Sequence, residues 1–163
     1  MLYWLTLFLT PIVAFALAAY GWHLVTQLAK RREAYDLYAS AQSLLEQLDA
    51  DGRHAWKNHP QFLDNYTEQK LLSKTIALEQ RLELLRKHYG YPANVPEITN
   101  QQMFDLRKLL TAAPDLLSGE ERDRTIAIHR LTAEMVSILL EQNYAYINKS
   151  PRWPVKKRRA DRR

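Results

Sequence analysis

Between Leu2 and Trp22 the chain reads LYWLTLFLTPIVAFALAAYGW, a stretch without one Asp, Glu, Lys, Arg or His. Few soluble folds can bury a helix that is apolar all round for twenty residues. As a helix rising about 1.5 Å per residue, the stretch extends roughly 30 Å, the hydrocarbon thickness of a bilayer. Tyr3 and Trp4 stand at one end and Tyr20 and Trp22 at the other. The two tryptophans are separated by a rise of about 27 Å, which suits an aromatic belt at each membrane interface. Residues 1–26 are therefore read as a transmembrane anchor, from which the rest of the fold must hang.

A cleaved signal peptide is the competing reading, because Ala14, Ala16, Ala18 and Ala19 offer small-residue cleavage sites. The segment lacks a basic leader, however, and its apolar run is longer than that of a usual signal. Its flanking charge, Lys30, Arg31 and Arg32, lies on the far side. An uncleaved signal-anchor accounts for all three features. The same cations set the expected orientation, since basic flanks stay on the cytoplasmic side. The expectation is a single-pass protein of the inner (plasma) membrane, with its N-terminus outside and its bulk in the cytoplasm. Pro11 lacks an N–H and predicts a kink in mid-span. Ala14, Ala18 and Gly21 offer a small-residue face for helix pairing, although alanines are also common in such helices for no special reason.

Beyond the anchor the chain changes character. Leu, Ala, Gln, Glu, Lys and Arg dominate, glycine occurs only three times and cysteine not at all. Disulfides, thiolate metal sites and cysteine nucleophiles are excluded. The net charge of +5 belongs to two short patches, Lys30–Arg32 and the last fourteen residues. Residues 33–149 hold 13 basic and 17 acidic side chains, a net of −4.

Apolar residues then recur at helical spacing. No breaker lies between Gly21 and Gly52, so the membrane helix is expected to continue to about Leu48 on a stripe of Ala34, Leu37, Ala41, Leu44, Leu45 and Leu48. Asp49-Ala50-Asp51-Gly52 should end it, with Gly52 in a left-handed conformation and residues 53–59 as a connection. Pro60 should open a second helix running to His88 or Tyr89 on Leu71, Thr75, Leu78, Leu82 and Leu85, closed by Gly90. Two prolines make residues 91–98 a loop. Thr99 and Gln102 form a capping box for a third helix over about 100–113, stopped by Pro114. Ser118 and Glu121 suggest another box, opening a helix over about 119–148 on Ile128, Leu131, Met135, Ile138, Leu139 and Gln142. The fold class is thus all-α: a transmembrane helix continuing into a small antiparallel helical bundle (27–149), then a disordered basic tail (150–163).

No motif of catalysis stands out. G-x-x-x-x-G-K, G-x-G-x-x-G, G-x-S-x-G and E-x-x-H are all absent. His54 and His59, near Asp51 and Asp64, match no metal-ligand spacing and read as exposed loop residues. His129 reads as a boundary histidine bonded to a neighbour, and His88 as a favourable charge at a helix C-terminus. His23 stands at the membrane edge, within reach of headgroups. No enzyme activity, cofactor or metal is expected.

The tail SPRWPVKKRRADRR carries Arg152, Lys156, Lys157, Arg158, Arg159, Arg162 and Arg163 around Trp153. An anionic-lipid contact fits, because tethering keeps the membrane within reach and tryptophan is an interfacial residue. Nucleic acid is a weaker alternative using the same charges and stacking on Trp153. A merely solvated tail that reinforces topology is the bland one. The functional expectation is a non-enzymatic accessory or scaffold protein. Its helical domain would bind a protein partner, or further copies of itself, through surface aromatics such as Trp56, Tyr66, Tyr91, Tyr144 and Tyr146, each of which reads more simply as a packed or half-buried residue. Two alternatives stand beside it. One is a membrane-active, lysis-type protein that oligomerises through its apolar helix. The other is a secreted or periplasmic helical binding protein released by cleavage near Ala16–Ala19.

Overall fold

The computed structural model describes residues 2–58, 63–90, 95–112 and 123–148, with side chains from Thr10 onward. Its regular structure is all helical: α1 (Leu2–Asn58), α2 (Asn65–His88), α3 (Asn100–Thr111) and α4 (Arg124–Ile147). Helix α1 is 57 residues long and passes through Pro11 without interruption. Its N-terminal half is the one described helix long and apolar enough to cross a membrane, and none of that apolar stretch is buried in the protein.

The expected stop at Gly52 does not occur, and α1 runs six residues further to Asn58. The reason lies in packing. A Cβ on Gly52 would stand 2.5 Å from Leu110 Cδ2 of α3 and 3.4 Å from Ile128 Cδ1 of α4. Glycine here permits a close approach of three helices and is fully helical. The two aspartates beside it are held by neighbours rather than by a turn. Asp49 accepts from Arg53 (2.8 Å), while Asp51 accepts from Lys74 (2.8 Å) and Lys70 (3.0 Å) of α2. The same extension moves Trp56 from an expected surface to the interior.

Helix α2 begins at Asn65, later than expected, because the Asp64 carboxylate caps it by accepting from Thr67 N at 2.6 Å. Pro60 lies outside the described residues. Gly90 follows α2 with φ +64°, the left-handed region that glycine adopts without penalty. The Thr99–Gln102 capping box forms as expected, with Thr99 Oγ1 accepting from Gln102 N and Gln102 Oε1 from Thr99 N. Helix α4 begins at Arg124, capped by Asp123 accepting from Ile126 N at 3.3 Å. Ser118, Glu121 and Pro114 lie outside the described residues.

The four helices form a closed antiparallel ring in which α1 packs on α2 and α4, and α3 on α2 and α4. Polar contacts fix the register of α1 on α2 at three levels: Lys74–Asp51, Arg81–Ser40 and Tyr89–Glu33. Asp49 and His129 do so for α1 on α4, Glu79 and Arg107 for α2 on α3, and Gln102 and Glu134 for α3 on α4. The core largely follows the predicted stripes: Ala41, Leu44, Leu45 and Leu48 of α1 cluster with Leu71, Leu78 and Leu85, Leu106 and Leu110, and Ile128, Met135 and Leu139, while Tyr38, outside the predicted stripe, joins them and Leu37 is only partly buried. Leu131 is only partly buried at its edge.

Candidate membrane-proximal interaction site

Since α1 and α3 run away from the apolar segment and α2 and α4 run back towards it, one end of the bundle gathers the C-termini of α2 and α4. That end stands beside the cations that follow the apolar segment. Tyr89, the C-terminal cap of α2, donates its hydroxyl to Glu33 Oε2 of α1 at 3.1 Å. Its ring meets that of Tyr146 edge-on, with centroids 5.7 Å apart and planes at 84°. Burial first, and then the hydrogen bond to the Glu33 carboxylate, raises the Tyr89 hydroxyl above its ordinary value. Burial also raises Tyr146, with the nearby Arg31 guanidinium acting in the opposite sense. Arg31, Glu33, Tyr89 and Tyr146 therefore make one cluster where three helices meet. Arg31 lies nine residues past Trp22, a rise of about 14 Å.

Of the residues expected at the membrane interface, Tyr20 and Trp22 are exposed on α1, while Lys30 and Arg32 project into solvent above the bundle. Arg31 is partly covered. Tyr3 and Trp4 belong to α1, with their side chains outside the described set. The tail residues Arg152, Trp153, Lys156, Lys157, Arg158, Arg159, Arg162 and Arg163 also lie outside the described residues. The described chain leaves α4 at Asn148, next to the cluster.

The surface aromatics divide. Tyr66 and Tyr144 are exposed at opposite ends of the bundle, Tyr146 is half-buried, and Tyr91 lies outside the described residues. Trp56 is not a surface contact but takes the packed alternative, being only 6% exposed. Its indole N–H donates to Leu110 O at 3.0 Å, and the buried Arg124 guanidinium lies 3.5 Å from its ring centroid. Arg124 in turn donates to Ala112 O at 2.6 Å, so this group locks the end of the bundle far from the apolar segment. Trp56 is structural. No sequence signal marked it, because Gly52 hid the last two turns of α1.

The histidines divide as well. His129 meets Asp49 Oδ2 at 3.2 Å, His54 contacts its i+4 neighbour Asn58, and His88 lies edge-on to Tyr89. His59 is outside the described residues. Among the described residues no group of three or more His, Asp or Glu side chains is arranged to hold a metal ion.

One further surface feature went unread in the sequence. A groove of about 530 Å³ runs between α2 and the start of α3. Leu82, Ile98 and Met103 form its apolar floor, with Glu79, Glu83, Arg86 and Lys87 along its rim. Its charged rim looks like ordinary helix surface in the one-dimensional pattern, and the groove forms where the start of α3 lies against the C-terminal half of α2. Compared with known proteins, the chain matches no protein-family model, no curated protein and no solved structure.

Proposed function

We propose that the protein is a single-pass, membrane-anchored accessory or scaffold protein without enzymatic activity. Its helical domain holds a protein partner at the cytoplasmic face of the inner membrane. One observation carries the reading: α1 is a single helix from the apolar segment into the heart of the bundle core. The domain is mounted on its span without a linker, which suits a part that presents a surface at fixed height and angle. Confinement to the membrane raises local concentration, so modest contacts at exposed aromatics such as Tyr66 and Tyr144 suffice. Lys30, Arg31 and Arg32 support the cytoplasmic orientation through the basic-flank rule. Support for an anionic-lipid contact of the tail comes from the end of α4, which lies beside Arg31. From there each tail cation reaching the headgroups contributes on the order of 1 kcal/mol.

Alkaline phosphatase fused after Arg163 tests the orientation. The expected fusion is inactive, and an active one overturns the cytoplasmic assignment. Photo-crosslinking groups introduced at Tyr66 and Tyr144 of the full chain in its native membrane test the partner. Discrete adducts heavier than the chain are expected from at least one position, and their absence from both refutes the scaffold reading.

A further inference from the structure

The continuity of α1 also aligns two surfaces that the sequence presents separately. Starting at Ala14, the positions Ala14, Ala18, Gly21, Val25, Leu28, Arg32, Tyr35 and Ala39 follow strict steps of four and three residues. Because α1 is unbroken, they form one stripe. It begins inside the span and continues past the cation collar. The bundle does not cover it. Ala34, Tyr38, Ala41 and Leu45 point into the core on the opposite side of the helix, and the stripe faces out. Val25, Leu28 and Tyr35 are 63%, 63% and 51% exposed, although they lie beyond the apolar segment. A Cβ on Gly21 would touch nothing within 4 Å, so the backbone there is open to close approach.

A 3.5-residue repeat is the signature of a helix that packs along its length against another helix, in a left-handed supercoil of about 20° per heptad. In that register Ala18, Val25, Arg32 and Ala39 take the first core position (a), and Ala14, Gly21, Leu28 and Tyr35 the second (d). The flanking positions then decide the partner. Arg31 falls at g and Asp36 at the following e. In a parallel pair these positions face each other across the seam, five residues apart. Two identical chains thus make Arg31–Asp36 pairs on both sides of the seam by symmetry. Copies of one chain in one membrane are necessarily parallel, which is the only orientation in which these charges complement. Within the span, the small residues let the backbones approach. Outside it, Leu28 and Tyr35, 63% and 51% exposed in the single chain, lose their exposure to water. Arg32 lays its methylenes along the seam and leads its charge out to headgroup or solvent.

We infer that the chain pairs with a second copy of itself through this α1 stripe, as a parallel two-helix seam from Ala14 to Ala39.

The absence of cysteine gives a clean background for disulfide mapping of the full chain in membrane vesicles. Single variants G21C, V25C, L28C and Y35C are oxidised and compared with Q27C and K30C on the other side of α1. The expected product is a species of twice the 19.1 kDa chain. Its yield at the stripe positions should be at least fivefold that at Gln27 and Lys30. A flat profile overturns the inference, as does an adduct of any other mass. A charge exchange gives a second readout: R31D alone and D36R alone should each lower the L28C dimer yield several-fold, and R31D/D36R together should restore it. Equal loss in all three overturns the pairing register. The scaffold reading stands or falls on the Tyr66 and Tyr144 adducts, so the two failures are distinguishable.

Discussion

Replacing Trp56 with phenylalanine tests the lock at the end of the bundle far from the apolar segment. Leu110 belongs to the last turn of α3, where carbonyls have no partner within the helix. The Trp56 indole N–H supplies one at 3.0 Å, in a region closed to solvent. Phenylalanine keeps an aromatic ring but strands that carbonyl, at a cost of about 1–3 kcal/mol. The smaller ring also leaves a void and a weaker seat for the Arg124 guanidinium, which adds on the order of 1 kcal/mol. The combined loss is about 3 kcal/mol. For a domain of this size each kcal/mol moves Tm by about 4 °C, so W56F should melt about 12 °C below the parent protein. The assay is thermal unfolding of the full chain in mild detergent, followed by circular dichroism, with W22F as a control on the exposed apolar segment. If W56F and W22F melt within about 2 °C of each other, Trp56 is not a buried donor and the extension of α1 beyond Gly52 is wrong.

Gly52→Leu overfills the contact with Leu110 and Ile128. Overpacking of about 1–3 kcal/mol should outweigh the gain of up to about 1 kcal/mol from removing a helical glycine, and urea unfolding should show a lowered midpoint. Burial pushes the Asp51 carboxyl up, but Lys74 and Lys70 together hold it below its ordinary 3.8. Its folded value being the lower one, its contribution is present above pH 3.8 and is lost as pH falls further through the folded value. D51N should therefore flatten the acid limb of the stability–pH curve. Tyr89 and Tyr146 shift the other way, above 10.0. Their contribution is complete below pH 10 and is lost as pH rises through the folded values, so Y89F/Y146F should resist alkaline unfolding better than the parent.

The sequence discloses the buried faces of α2, α3 and α4 well, because Leu71, Leu78, Leu85, Leu106, Ile128 and Met135 keep helical spacing wherever one helix face meets one core. It discloses the Thr99 cap for a similar reason, since a capping box is entirely local. It misleads at Gly52, where a residue read as a local signal is explained by Leu110, 58 positions away. Asp64 and Asp123 cap helices whose starts the sequence pattern places at Pro60 and Ser118, since several polar residues in each connection could serve and only the packed helix selects one. The aromatic cluster of Tyr89 and Tyr146 needs the antiparallel return of two helices, which no local pattern encodes. The outward stripe on α1 is half visible in the sequence as Ala14, Ala18 and Gly21, and the side of the helix left bare beyond Trp22 is fixed only by the packing of the bundle on Tyr38, Ala41 and Leu45.

A rod without a joint is also a lever. From His23 to Asn58, α1 extends about 50 Å beyond the apolar segment. Membrane helices answer a change in hydrocarbon thickness by altering their tilt. A tilt change of 10° sweeps the far end of such a rod sideways by about 9 Å, carrying α2, α3 and α4 with it. With α1 crossing a bilayer as proposed, thickness would thereby be converted into lateral displacement of the whole domain, a motion that a flexible tether would absorb.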